Sequence, residues 1–208
     1  MSDIKAVLFD IGNVLITWEP ERFYDRTIGE QRRRALFDAV DLYGMNDRAD
    51  KGESLPEMLD DLVTQHPEFR AEIRMWQDNW IEFITGEIPQ SIALLRVLRA
   101  KGMPVFALTN FGAETLELAD RHFSFLTEFD RRYVSAHMRI MKPDPQIYAA
   151  VEADSGLAPG TLLFTDDRPE NIEAAVARGW NGHVFEGPEG WAQALVSHGV
   201  LTAEEAAV

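Results

Sequence analysis

The chain has 208 residues, of which 46% are hydrophobic and 26% charged, enough apolar material for one sizeable domain or a main domain carrying an insert, and too much for disorder. Its 35 acidic residues against 20 basic ones leave a formal charge of −15, so a nucleic-acid backbone is excluded as a natural partner by the protein's own field. There is no cysteine, hence no disulfide framework, thiolate nucleophile or thiolate-held metal, and no apolar run approaches the ~20 residues of a membrane span, so a cytoplasmic protein away from membranes is expected.

The opening Ile4 to Phe9 is a short apolar run, a strand buried on both faces rather than a signal peptide. From Glu21 to Phe83 the pattern turns helical: Glu21 to Ile28, Arg32 to Val40, Leu55 to Val63, and Phe69 to Phe83, where Trp76 and Trp80 stand one turn apart as core residues. Gly44 to Glu53, between two of these, is polar and reads as a linker, with Arg48, Asp50 and Lys51 as candidate substrate contacts. A helical stretch of ~70 residues is too long for an ordinary crossover, which predicts a helical insert over residues 18–87 within a core made of 1–17 and 88–208.

Strands and helices then alternate. A helix over Pro89 to Ala100 ends at Lys101-Gly102, and strands follow at Val105 to Leu108 and Tyr133 to Val134. Asp144-Pro145 caps a helix that stops near Gly156, and another strand covers Leu162 to Phe164. Asp167, three residues before Glu170, has capping-box spacing for a helix from Ile172 to Arg178, and a last strand is expected at His183 to Phe185. The alternation predicts an α/β fold: a doubly wound parallel sheet, Rossmann-like, with the inserted helices as a subdomain.

Ligands of such sheets bind beyond the carboxyl ends of the strands. The apolar runs end there in Asp10, in Thr109-Asn110 and in Thr165-Asp166-Asp167, while Lys142 sits in the turn Met141-Lys-Pro-Asp-Pro145. Singly, Asp10 fits a turn, Thr109 a β-branched strand end, Lys142 a solvated turn and Asp167 a helix cap. A helix needs only one cap, however, and adjacent carboxylates repel unless a cation or base neutralises them. Together, three carboxylates, one lysine and one hydroxyl suit a divalent metal and a small anion.

The order and spacing of Phe9-Asp-Ile-Gly-Asn-Val14, Ala107-Leu-Thr-Asn110, Met141-Lys-Pro-Asp-Pro145 and Phe164-Thr-Asp-Asp-Arg-Pro-Glu-Asn-Ile-Glu173 resemble the haloacid dehalogenase-like hydrolase superfamily. The helical stretch corresponds to the cap that many members insert after the first motif. The resemblance implies that Asp10 is a nucleophile forming an aspartyl-phosphate. It implies that Thr109 and Asn110 hold the phosphoryl oxygens and that Lys142 neutralises Asp10 and the transferring group. It further implies Mg²⁺ bound by Asp10, the Gly12 carbonyl, Asp167 and, directly or through water, Asp166. The expected substrate is a small phosphate ester, with sugar phosphates among the candidates.

Two positions depart from the pattern. Most phosphatases of this superfamily carry a second aspartate two residues after the nucleophile, and this chain has Gly12; where many members have another acidic residue, it has Asn171. General acid–base help is worth roughly 10²–10⁴ in rate, so slow turnover of ordinary alkyl phosphates is expected. The Gly-Asn pair resembles the bacterial glucose-1-phosphate phosphatase branch. The alternatives are a 2-haloacid dehalogenase, whose halide leaves without a proton but which needs no metal and carries a Tyr-Gly-Thr stretch at Gly12-Asn13-Val14, and a weakly active phosphate-binding protein.

Overall fold

The computed structural model describes residues 3–208. The chain runs through β1 (Ala6–Phe9), β2 (Ile16–Trp18), α1 (Pro20–Ile28), α2 (Glu30–Ala39), α3 (Leu42–Asp50), α4 (Leu55–Gln65), α5 (Arg70–Asp78), β3 (Ile84–Glu87), α6 (Pro89–Ala100), β4 (Val105–Thr109), α7 (Ala113–His122), β5 (Arg131–Val134), α8 (Ser135–Met138), α9 (Pro145–Ser155), β6 (Leu162–Asp166), α10 (Pro169–Ala177), β7 (Asn181–Val184) and α11 (Pro188–Ser197).

Every residue of β1, β4 and β6 is buried, because these strands lie at the middle of a five-stranded parallel sheet ordered β5-β4-β1-β6-β7. Side chains alternate across the sheet. Val7 and Phe9 join the core with Leu95 and Leu98 of α6 and Trp191 of α11, whereas Ala6 and Leu8 join Ile147 and Tyr148 of α9 and Ile172 of α10. Helices therefore cover both faces, as the doubly wound pattern predicts. Asp144 caps α9 by accepting from the Gln146 amide at 2.9 Å, and Gly156, at φ 69°, ends it in the left-handed conformation that glycine adopts without strain.

Four local features differ from expectation. The last strand covers Asn181–Val184, not His183 to Phe185; it is the sheet's edge, half-buried throughout, so it lacks the apolar run that marks the inner strands. The stretch Phe69 to Phe83 is not one helix, since 3-10 turns at Pro67–Phe69 and Trp80–Phe83 flank α5. The polar stretch from Gly44 is helical as far as Asp50, within α3, whose start is capped by Asp41 Oδ1 accepting from the Gly44 amide at 2.8 Å. Finally, Asp167 does not cap α10; it is Asp166 Oδ1 that accepts from the Arg168 amide at 2.9 Å.

A two-stranded antiparallel ribbon of β2 and β3 brackets the helical stretch, so that the chain leaves and re-enters the core side by side. Hydrogen bonds from the Glu19 amide to Phe83 O (2.7 Å) and from the Ile88 amide to Leu15 O (2.8 Å) extend it at both ends. Between them α1 to α5 pack around Trp76, whose ring meets those of Trp18, Tyr24, Phe37, Tyr43 and Phe83 at centroid distances of 5.1 to 6.3 Å. The same apolar cluster continues onto the β1 face of the sheet. Trp80 packs on Phe111 at 5.4 Å, and a Cβ on Gly52 (φ 90°) would come within 2.6 Å of Ala136 O, so the helices after β2 lie against the carboxyl ends of β4 and β5. No helix among the described residues is long and apolar enough to cross a membrane.

Candidate active site

Parallel pairing sets the site. Phe9 is opposite Ala107 on one side and Thr165 on the other, so the next residue of each strand brings Asp10, Leu108 and Asp166 to one level. The Asp10 amide donates to Thr165 O at 2.9 Å. Lys142, 1% exposed, reaches into this row: Nζ donates to Leu108 O at 2.8 Å and Asp166 Oδ2 at 2.6 Å, and is ion-paired with Asp10 Oδ1 at 3.0 Å. An ammonium has three protons; two are donated to Leu108 O and Asp166 Oδ2, while Asp10 Oδ1 is held by charge and has no hydrogen-bond partner. The Lys142 backbone is fixed as well, because Asn110 Nδ2 donates to Lys142 O (3.0 Å) and the Lys142 amide donates to Asn110 Oδ1 (2.8 Å).

Asp166 is fully engaged: besides Lys142 it accepts from the Arg168 amide and from Asn171 Nδ2 at 2.8 Å. Asn171, the departure noted in the fourth motif, thus orients a carboxylate. Asp167 Oδ2 accepts from Asn13 Nδ2 at 3.0 Å, and Asn13 (φ 54°) accepts in turn from the Trp18 amide at 3.1 Å, tying the fourth motif to the first and to the ribbon. Oxygens of Asp10, Asp166 and Asp167 lie within 4.8 Å of one another. These hard oxygen donors fit Mg²⁺. Since Asp166 already holds three donors, direct coordination by it would compete with Lys142, and Asp10 and Asp167 are the better direct ligands. The Thr109 hydroxyl, at the end of β4, has no hydrogen-bond partner, but Thr109 is buried and does not itself line the cavity in front of the carboxylates.

Burial raises the Asp10 carboxyl above the ordinary carboxylate range; Lys142 pulls against it, and the charges of Asp166 and Asp167 add to the rise. Burial works against the Lys142 ammonium too, but Asp10 and Asp166 outweigh it and hold its pKa above the usual value. Burial likewise raises Asp167, against the hydrogen bond from Asn13. Two buried carboxylates therefore compete for one cation, an arrangement that a bound divalent metal would relieve.

The cavity in front of these groups measures about 320 Å³, at the lower end for small-molecule sites. Asp10, Gly12, Asn110, Lys142 and Asp167 line its floor, and the opposite wall comes from the helices after β2: Trp18, Tyr43, Asn46, Asp47, Asp50 and Trp80. Arg48 and Lys51 do not line it. Arg48 Nε instead bonds both carboxylate oxygens of Glu53 at 3.0 and 3.1 Å. The wall residues Tyr43, Asn46, Asp47 and Asp50 follow the i, i+3, i+4, i+7 spacing of one helix face, a signal present in the sequence but masked by reading Gly44 to Glu53 as a polar linker. Asp50 accepts from Asn46 Nδ2 at 3.1 Å and from the Gly112 amide; burial first, then the charges of Asp47 and Asp10, push it up to about 7. Arg168 also reaches the cavity, beside Glu170 at 2.7 Å.

A family model described as haloacid dehalogenase-like hydrolase matches residues 4–179. The sesquiterpene phosphatase astK of Aspergillus oryzae is 26% identical over 187 residues, covering 86% of this chain and 88% of that protein. Flavin mononucleotide hydrolase 1 of Arabidopsis thaliana is 29% identical over 107 residues, 51% of this chain and 43% of that protein. Among solved structures, the HAD family enzyme bt-2542 of Bacteroides thetaiotaomicron superposes with a TM-score of 0.76 at 25% identity, covering 92% of this chain and 98% of that one. The same enzyme has been solved in complex with magnesium and inorganic phosphate. The L-2-haloacid dehalogenase of Xanthobacter autotrophicus shares the fold, with a TM-score of 0.60 at 20% identity over 95% of this chain and 84% of its own.

Proposed function

Since the chain belongs to the haloacid dehalogenase-like hydrolases, we propose that it is a Mg²⁺-dependent phosphomonoesterase whose nucleophile is Asp10. One observation carries this reading: buried Lys142 is ion-paired with both Asp10 and Asp166, with Asp167 alongside, so a nucleophile, a fixed cation and hard metal ligands meet at one point. A dehalogenase, which needs no metal, gives Asp166 and Asp167 no comparable task. The similarity to a sesquiterpene phosphatase and to a flavin mononucleotide hydrolase points the same way.

The Asp10 carboxylate attacks phosphorus, the bond to the leaving oxygen breaks, and water then hydrolyses the aspartyl-phosphate. Two like charges approach in the first step, so Lys142 is the residue that lowers the repulsion on the protein's side. When bound, Mg²⁺ held by Asp10, the Gly12 carbonyl and Asp167, with Asp166 behind, would cancel more of the phosphate's charge. Asn110 acts at one remove, since both ends of its amide hold the Lys142 backbone.

Residues 18–87 serve as a cap that closes this site, over a core of 1–17 and 88–208; water is kept out during transfer by the wall they supply. Aromatic rings at Trp18, Tyr43 and Trp80 with polar groups at Asn46, Asp47 and Arg168 complement a ring that has apolar faces and hydroxyl edges. Small sugar phosphates are therefore the first substrate class to test, in keeping with the modest cavity and with a protein acting in the cytoplasm. Purified protein is incubated with an aryl phosphate with and without Mg²⁺. Metal-dependent phosphate release that disappears in Asp10→Asn supports the reading; chloride release from 2-chloropropionate without metal overturns it.

A further inference from the structure

Expelling an alkoxide requires a proton at the leaving oxygen, and hydrolysing the aspartyl-phosphate requires a base for water. Gly12 supplies neither. Among the described residues, the carboxylates that line the cavity are Asp10, Asp47, Asp50 and Asp167, and no histidine, cysteine or glutamate joins them. Asp10 is the nucleophile, Asp167 is bonded to Asn13 on the floor beside it, and Asp47 is exposed next to Arg168. Lys142 donates to Leu108 O and Asp166 and is ion-paired with Asp10, and these two carboxylates hold its pKa above the usual value, so it keeps its protons. Asp50 remains.

Its position suits the task. In-line displacement puts the leaving oxygen on the side of phosphorus away from the nucleophile. Asp10 lies on the strand-end floor, and Asp50 projects from α3 in the facing wall of the same cavity. Asn46 Nδ2 at 3.1 Å and the Gly112 amide anchor its carboxyl, one from its own helix and one from the loop after β4. The charged groups that face it are Asp47 on α3, and Asp10 and Lys142 from the floor.

We propose that Asp50 is the general acid and base of this enzyme, supplied by the helical segment in place of the carboxylate absent at Gly12. The proposal rests on the phosphatase reading above. In the first step Asp10 forms the O–P bond, the P–O bond to the alkoxide breaks with its electron pair on oxygen, and the Asp50 proton goes to that oxygen, giving the alcohol. In the second, water forms a bond to phosphorus and passes a proton to the Asp50 carboxylate, the bond to Asp10 breaks, and inorganic phosphate leaves. Asp50 ends protonated and Asp10 ionised, as they began. A pKa near 7, set chiefly by burial, allows both directions of transfer at neutral pH.

The test compares glycerol 2-phosphate, with a poor leaving group, and p-nitrophenyl phosphate, with a good one, in Mg²⁺. Asp50→Asn is expected to lower kcat/KM for glycerol 2-phosphate by roughly 10²–10⁴-fold and that for p-nitrophenyl phosphate by far less. Asp50→Glu, which keeps a carboxyl, retains most of the alkyl activity that the amide loses. A Cβ on Gly12 meets nothing within 4 Å, so the backbone there admits a side chain, and Gly12→Asp added to Asp50→Asn is expected to recover glycerol 2-phosphate turnover about tenfold or more. Equal losses on both substrates in Asp50→Asn, or loss on neither, overturn the assignment of Asp50 while leaving the phosphatase intact. Wild-type protein that releases phosphate from neither substrate overturns the phosphatase reading, and this proposal with it.

Discussion

Asn110 and Lys142 clasp each other through two hydrogen bonds, amide to backbone in both directions, 32 residues apart in the chain. The clasp fixes the backbone from which the buried ammonium reaches Asp10. Asn110→Ala removes both bonds and leaves the Lys142 amide and carbonyl without them, at a cost of about 1–3 kcal/mol. We expect a lower urea midpoint together with a loss in kcat larger than any change in KM, because the displaced group is Lys142 rather than a substrate contact. A variant as stable and as active as the parent would show that the clasp is incidental.

Lys142→Met keeps the length of the side chain and deletes its charge. Asp10 and Asp166 then face each other without a cation, and breaking a buried pair in this way costs about 3–5 kcal/mol. Added Mg²⁺ is expected to recover part of that stability, read as a rise in Tm that the parent protein shows to a smaller degree, while phosphate release stays at least 10²-fold down.

Gly182 sits in the edge strand β7 under α10. A Cβ there would come within 2.7 Å of Ile172 Cγ2 and 2.9 Å of Val176 Cγ2, both on stiff β-branched side chains. Gly182→Ala is therefore expected to lose about 1–3 kcal/mol by overpacking, measured by denaturant unfolding. An unchanged midpoint would mean that α10 can move off the sheet freely.

Glu152 on α9 accepts from Arg178 (2.9 and 2.6 Å) and from Trp180 Nε1 (2.8 Å), tying α9 to the turn before β7. The Arg178 hydrogen bond, more than that of Trp180, holds its carboxyl below the ordinary glutamate range. The unfolded chain therefore takes up a proton first as pH falls. The stabilisation is complete above the ordinary glutamate pKa and is lost as pH drops through the lowered value. Solvent screening limits it to about 0.5 kcal/mol. Glu152→Gln should lose stability at pH 7 and match the parent near pH 3; a constant difference between the two across that range would refute the assignment.

The inner strands could be read from sequence because burial on both faces requires uninterrupted apolar residues, and Asp10, Asp166 and Asp167 because they end or follow those runs directly; Lys142 is marked instead by the Pro-bounded turn ahead of α9. Asn181–Val184 at the edge needs no such run, and the ribbon strands Ile16–Trp18 and Ile84–Glu87 are too short for any period to register. Spacing points to Asp167 as the cap of α10, yet the N-cap is Arg168 without a side-chain bond; local spacing does not show which of two adjacent carboxylates turns inward, which Lys142, 24 residues away, decides for Asp166. Asp50 stands among the polar candidates of Gly44 to Glu53, as a substrate contact and not as an acid. Its role depends on what lies across the cavity, which no local window of sequence contains.

The ribbon of β2 and β3 carries a further consequence. Because the chain leaves the sheet domain and returns to it on paired neighbouring strands, the sheet is indifferent to how many residues lie between them, and closing a longer or shorter excursion changes the entropy only slowly with length. Lineages could exchange one excursion for another without refolding the catalytic half. If the proton donor sits on that excursion, the exchange would replace acid–base chemistry along with substrate choice, and the two properties would be inherited together.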